Sequence, residues 1–251
     1  MTIIQVGDEK LTRYPNKDFA LLEEGYKECK KDGLVVASAC DIARLRMQHP
    51  KVNSPAWKQL IGYTNSVVGV GKFEGKPTVV VAHANHPFKT AEAIIRFKSD
   101  LQRYVNGGFV LTDKEVGDIV NPHRDNKDPI RDVWFLQSNN QYDITNSNVL
   151  FSGDVEVNLE ATKKTLLALF IGSKNEDDRI QFLYGFRNNN PRKSLGVYFE
   201  QRFDKDNMLF RPLWVGSNLL YGYVNYDEGC VFGVSSSAVG TAPNNGIEDL
   251  L

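Results

Sequence analysis

With 251 residues, 41% of them hydrophobic and 24% charged, the chain has the composition of a globular protein and length enough for a sizeable core. A formal net charge of −1 gives no bulk attraction to nucleic acid or to an anionic membrane. Three cysteines, Cys29, Cys40 and Cys230, contain no Cys-x-x-Cys pair, which argues against a disulfide framework and a structural zinc knot and points to a reducing compartment.

The opening Met1-Thr-Ile-Ile-Gln-Val-Gly-Asp8 lacks the basic start and long apolar stretch of a signal peptide. The longest apolar runs, such as Leu166–Ile171, are too short to span a bilayer, so the expected location is the cytoplasm or a virion, away from membranes. Lys17–Lys31 reads as an amphipathic helix, with Phe19, Leu22, Tyr26 and Cys29 on one face and Gly33 as its stop. Leu34–Ala39 reads as a short buried strand and Asp41–Gln48 as a helix halted before Pro50. Ser66–Phe73 and Thr78–His83, joined through Glu74-Gly75-Lys76-Pro77, predict a β-hairpin. Thr90 caps a helix expected to run to about Val105, with Ile94, Ile95, Leu101 and Tyr104 inward, and Thr112-Asp-Lys-Glu115 predicts a capping box for another helix.

Beyond about Val149 the period changes to two. Arg179–Phe186, Leu195–Phe203, Met208–Val215, Leu219–Val224 and Cys230–Val234 read as short strands between polar turns, while Leu159–Ile171 fits a helix, or a strand over Thr165–Ile171. The expected fold class is therefore α+β: an N-terminal mixed α/β part over residues 1–140, then a C-terminal antiparallel β meander, sandwich- or barrel-like, over 141–239. Residues 240–251 form a tail, in which Ile247, Leu250 and Leu251 are apolar anchors after a turn-forming spacer.

Chemistry concentrates where the apolar run after Pro77 ends in His83-Ala-Asn-His86-Pro87. Side chains at the carboxyl end of a buried strand project into a crevice, which is where α/β proteins place ligand-handling groups. His83, His86 and His123, with Asp125 beside the last, could supply three imidazoles and a carboxylate to zinc or another divalent metal. The competing reading has His83 bonded to a backbone group and His86 and His123 as loop residues. Cys40, ahead of a helix start, is a second candidate, because a helix N-terminus stabilises a thiolate and a histidine could act as its base; a small buried residue is the plainer role. Gly69-Val-Gly71-Lys72 lacks the remaining residues of a phosphate loop and reads as part of a strand. The turn holding Arg187, Arg192 and Lys193 is basic and edged by aromatic residues, as in binders of single-stranded nucleic acid.

Three functions fit these residues. The first is a structural or assembly protein, for instance a phage or viral particle component, without catalytic residues or cofactor, associating with itself or with other subunits through the C-terminal tail. The alternative is a metal-dependent hydrolase using His83, His86, His123 and Asp125. The second alternative is a nucleic-acid-binding module using the basic hairpin Arg187–Lys193.

Overall fold

The computed structural model describes residues 1–6, 9–16, 22–48, 55–83, 86–105, 107–123, 133–139, 152–156, 194–199, 205–216, 219–222 and 229–235. The chain opens with β1 (Thr2–Val6) and β2 (Glu9–Asn16), followed by α1 (Leu22–Lys31), β3 (Leu34–Val36), α2 (Ala39–Gln48) and α3 (Pro55–Gln59). Next come β4 (Gly62–Phe73), β5 (Lys76–Ala82), α4 (Ala91–Ser99), β6 (Tyr104–Val105), β7 (Gly108–Leu111), α5 (Asp113–Val120) and a 3-10 turn at Asn121–His123. The remaining described strands are β8 (Val133–Gln137), β9 (Ser152–Glu156), β10 (Ser194–Phe199), β11 (Met208–Val215), β12 (Leu219–Gly222) and β13 (Gly229–Ser235). The architecture is mixed α and β around a large, mostly antiparallel sheet. Among the described residues no helix is long and apolar enough to cross a membrane.

The central pair is β4 against β11, antiparallel from Met208↔Gly71 to Val215↔Gly62 with a register shift between Pro212 and Trp214. Along its other edge β4 pairs with β5 over Val67–Phe73, and at Tyr63 it meets Val231 of β13 in parallel. From β13 the sheet continues to β2 and then β1; on the far side it runs from β11 through β12 and β10 to β9. Strands from before and after residue 140 therefore hydrogen-bond directly to one another. The expected meander needs correction among the described residues. β10 pairs with β12 in parallel, and β13 leaves β12 to pair with β2 and β3, because those strands offer it two antiparallel edges.

Strand periodicity explains how one sheet serves two cores. Val79 and Val81 of β5 enter one apolar cluster, and Val80 and Ala82 the other, as alternating side chains must. The first cluster receives Ile42 and Leu45 of α2 and Trp57 of α3; the second receives Leu22 and Tyr26 of α1, Ile94 and Phe97 of α4, and Val116 and Ile119 of α5. The hairpin turn is Glu74-Gly75, with φ of 52° and 74°, a left-handed pair that glycine eases at its second position. Gly69 is needed for contact: a Cβ there would run into the Phe210 ring that lies across β4. The glycine-rich Gly69–Lys72 stretch lies within β4, as its sequence suggests.

Two boundaries differ from expectation for local reasons. The third strand stops at Val36 because Ser38 and Asp41 cap α2 reciprocally, Asp41 N–H donating to Ser38 Oγ at 3.1 Å and Ser38 N–H to Asp41 Oδ2 at 2.8 Å. Thr90 caps α4 as predicted, but that helix ends at Ser99, since Asp100 adopts extended backbone. Tyr104–Val105 then turns back against β7, so Leu101 is 84% exposed rather than inward and Ile95 is partly exposed. Thr112 and Glu115 form the predicted capping box. Segments 159–171 and 179–186 lie outside the described residues.

Candidate functional site

His83 follows the last residue of β5 and is 6% exposed. Its Nδ1 lies 2.9 Å from Ser66 Oγ on the neighbouring β4. The same hydroxyl accepts the Ala39 N–H at 2.9 Å, the first amide of α2. A hydroxyl carries one proton and two lone pairs, so Ser66 meets both the Ala39 amide and the His83 ring. One hydroxyl thus ties β4, β5 and α2 together in a place closed to solvent, where bonded polar groups are tolerated and bare ones are costly.

His86 is deeper, at 2% exposure. Its Nε2–H donates to the Asn65 carbonyl at 2.9 Å, while Nδ1 accepts the Phe88 N–H at 3.2 Å. Both ring nitrogens are thereby occupied and the neutral tautomer is specified. Burial pushes the imidazole down to about 4, with the Asn65 carbonyl opposing that shift and the Lys89 cation adding to it. Asn65 extends the network: its N–H donates to Ala37 O at 2.8 Å, and its Oδ1 accepts from Tyr26 Oη on α1 at 3.2 Å. Phe88 completes the anchorage, stacked on Phe109 at 4.4 Å and edge-on to Phe97 at 4.8 Å.

The chemistry open to these groups is limited by those bonds. A zinc ligand donates the lone pair of a neutral ring nitrogen, at about 2.1 Å from the ion. On His86 that lone pair is the one receiving the Phe88 N–H, so ligation would require the loop to reopen. His123 falls in the 3-10 turn after α5; its side chain and Asp125 lie outside the described residues. Among the described residues no group of three His, Cys, Asp or Glu side chains is placed to hold a metal ion.

Cys40 is half-buried in the first turn of α2, where a helix N-terminus was expected to favour a thiolate. A link between that turn and His83 runs through Ser66, by way of Ala39. The other two thiols are buried: burial and the Asp32 carboxylate push Cys29 up to about 12, and burial raises Cys230, so both stay protonated at neutral pH. Arg187, Arg192, Lys193, Ile247, Leu250 and Leu251 lie outside the described residues.

An open cleft of about 340 Å³ lies against the far side of the histidine loop, lined by His86, Pro87, Lys89, Glu115, Asp118 and Ile119. Glu115 is already engaged, accepting from Arg103 Nη2 at 2.6 Å and from the Thr112 amide at 3.0 Å. Burial raises its pKa, but the Arg103 and Thr112 bonds outweigh that and hold the carboxyl below its ordinary value.

The residues missed by sequence reasoning are the partners: Asn65, Ser66, Tyr26 and Arg46. Arg46 is fully buried on α2, donating from Nη2 to Leu60 O at 2.8 Å and Gly216 O at 2.9 Å, with its guanidinium 5.0 Å over the Trp57 ring. A signal existed for two of them, since Thr64-Asn65-Ser66 interrupts a strand that is otherwise apolar up to Lys72, and polar residues in such a strand need internal partners.

No family model and no curated protein matches the chain. A solved structure described as "Accommodation of massive sequence variation in Nanoarchaeota by the C-type lectin fold" superposes on it with a TM-score of 0.67 and 22% identity, covering 92% of this chain and 100% of that one. At that identity the likeness concerns the fold, and it is compatible with the mixed α/β architecture and its large antiparallel sheet.

Proposed function

We propose that this protein is a non-enzymatic recognition module, which acts by contact with other protein chains, its own copies included. The observation that carries the reading is the histidine pair. The most chemically marked residues of the sequence are spent on holding β4, β5, α1 and α2 together, with both nitrogens of His86 bonded inside the protein. A scaffold tied internally in this way holds its surface still, and a surface fixed in advance binds with less ordering cost. The likeness to a C-type lectin fold whose description speaks of accommodating massive sequence variation supports the same direction.

Self-association through Ile247, Leu250 and Leu251 belongs to this proposal, as does a sandwich- or barrel-like arrangement of the carboxyl-terminal strands. A phage or viral particle component in particular gains no support from the fold. The metal-dependent hydrolase would require His86 to exchange an internal bond for an ion, and the nucleic-acid module rests on Arg187, Arg192 and Lys193 alone.

Equilibrium dialysis against zinc, followed by elemental analysis, tests the reading. The expected result is no saturable zinc site that is lost in His83→Ala or His123→Ala. Stoichiometric zinc that disappears with either substitution, together with zinc-dependent hydrolysis of ester or phosphoester substrates, would overturn it in favour of the hydrolase.

A further inference from the structure

We propose that the open cleft between the histidine loop and α5 binds a free amino acid with an apolar side chain, its carboxylate on Lys89 and its ammonium on Asp118. This ligand is additional to the protein contacts proposed above, and its site does not depend on them. The cleft holds about 340 Å³, near the small end of the roughly 300–1,000 Å³ that ligand pockets span, so it suits a molecule of amino-acid size.

The two walls of the cleft are fixed from behind. On one side Phe88 holds the loop in the second core, and both ring nitrogens of His86 are bonded within the protein. On the other side Val116 and Ile119 root α5 in the same core, and the Thr112–Glu115 capping box fixes the start of that helix. A cleft whose walls are already held loses little freedom when a ligand enters.

The charges lining it divide into one engaged group and two open ones. Arg103 Nη2 donates to Glu115 Oε1 at 2.7 Å and to Oε2 at 2.6 Å, so that carboxylate is already paired. Lys89 and Asp118 are exposed, and among the described residues neither forms a hydrogen bond or an ion pair, with the other or with Glu115. Both also sit at helix ends that disfavour them. Lys89 immediately precedes Thr90, the N-cap of α4, and its cation adds to the burial that keeps His86 neutral. Asp118 lies in the last turn of α5, which carries no basic residue. A cation beside a helix N-terminus and an anion near a C-terminus each oppose the helix dipole, so neither charge serves the helix it adjoins. A bound zwitterion removes both oppositions: its carboxylate meets Lys89 and the positive end of α4, and its ammonium meets Asp118 and the negative end of α5. Pro87 and Ile119 supply apolar surface for its side chain. Because solvent and salt screen exposed charges, binding should be weak, with a dissociation constant of about 1 mM that rises with ionic strength.

Proton–nitrogen NMR of the full chain at neutral pH and low salt, titrated with leucine to about 50 mM, reads the site directly, since that range lies well above a millimolar dissociation constant. The expected result is saturable movement of the His86, Phe88, Lys89 and Asp118 amide signals. N-acetylleucine, which lacks the ammonium, and leucinamide, which lacks the carboxylate, should each bind at least about tenfold more weakly, as should leucine to Lys89→Ala or Asp118→Asn. Lys114→Ala removes an exposed charge of α5 outside the cleft and should bind leucine as the wild type does, with circular dichroism confirming that all three variants fold. A titration without saturable shifts, analogues that bind as well as leucine, or a loss of binding in Lys114→Ala equal to that in the cleft variants overturns the proposal.

Discussion

His86 shows how a single side chain couples the fold to pH. Its folded pKa of about 4 lies below the ordinary histidine value, so between pH 6.5 and 4 the unfolded chain binds a proton that the folded chain refuses. Stability from this group is fully present above pH 6.5 and is lost as pH falls toward 4, a loss of roughly 3 kcal/mol over the window. Urea unfolding at pH 7, 6, 5 and 4.5 should show that slope in the wild type and a shallower one in His86→Asn, the difference isolating His86 from acid effects of the carboxylates. Arg46 presents the opposite situation, a buried cation. Desolvation pushes its guanidinium down to about 9, still protonated at neutral pH, where Leu60 O, Gly216 O and the Trp57 face receive it. Arg46→Ala strands two buried carbonyls and opens a cavity, and should cost roughly 3 kcal/mol or more by urea unfolding at pH 7. Apart from the Phe88 amide on His86, the partners of these buried groups lie far away in sequence. Ser66 and Asn65 lie 17 and 21 positions before their histidines, and Gly216 lies 170 positions after Arg46.

At the scale of elements, legibility follows locality. The β4–β5 hairpin is written in alternating apolar residues around Glu74-Gly75, and the caps at Thr90 and Thr112 depend on residues three positions apart. The end of α4 was misread because Leu101 and Tyr104 continue an apolar helical spacing past the point where Asp100 leaves helical backbone. The packing of α4 on α1 depends on two ion pairs of unequal weight. Lys98 Nζ meets Glu23 Oε2 at 2.6 Å with both side chains largely buried, at 15% and 16% exposure, whereas the Lys30–Glu92 pair at 3.0 Å is open to water. Solvent screens the second pair, and removing one partner of the first leaves a charge facing a desolvated site. Lys98→Ala should therefore lower stability by roughly 2 kcal/mol and Lys30→Ala much less, as measured by thermal and urea unfolding of the two variants.

At the scale of the whole molecule, the change in period near residue 149 is visible in the sequence, but strand partnership is not. β4 takes its long neighbour from β11, and β2 takes β13, pairings that hydrophobic alternation permits without specifying. A fragment ending at residue 140 would lack β11 and β13 and leave β4 and β2 without those partners. Expressed alone, residues 1–140 should give no cooperative unfolding transition, whereas the full chain gives one; a stably folded fragment with native-like circular dichroism would show that the halves fold independently. The histidine loop is the internal strut of the fold, with both His86 ring nitrogens bonded inside the protein. Nitrogen-15 NMR of the imidazoles, titrated from pH 7 to 4 with and without zinc, measures this directly. The predicted result is a His86 ring carrying its proton on Nε2, titrating near pH 4 and unmoved by zinc. Protonation near pH 6.5, or a His86 signal shifted by stoichiometric zinc, would contradict it.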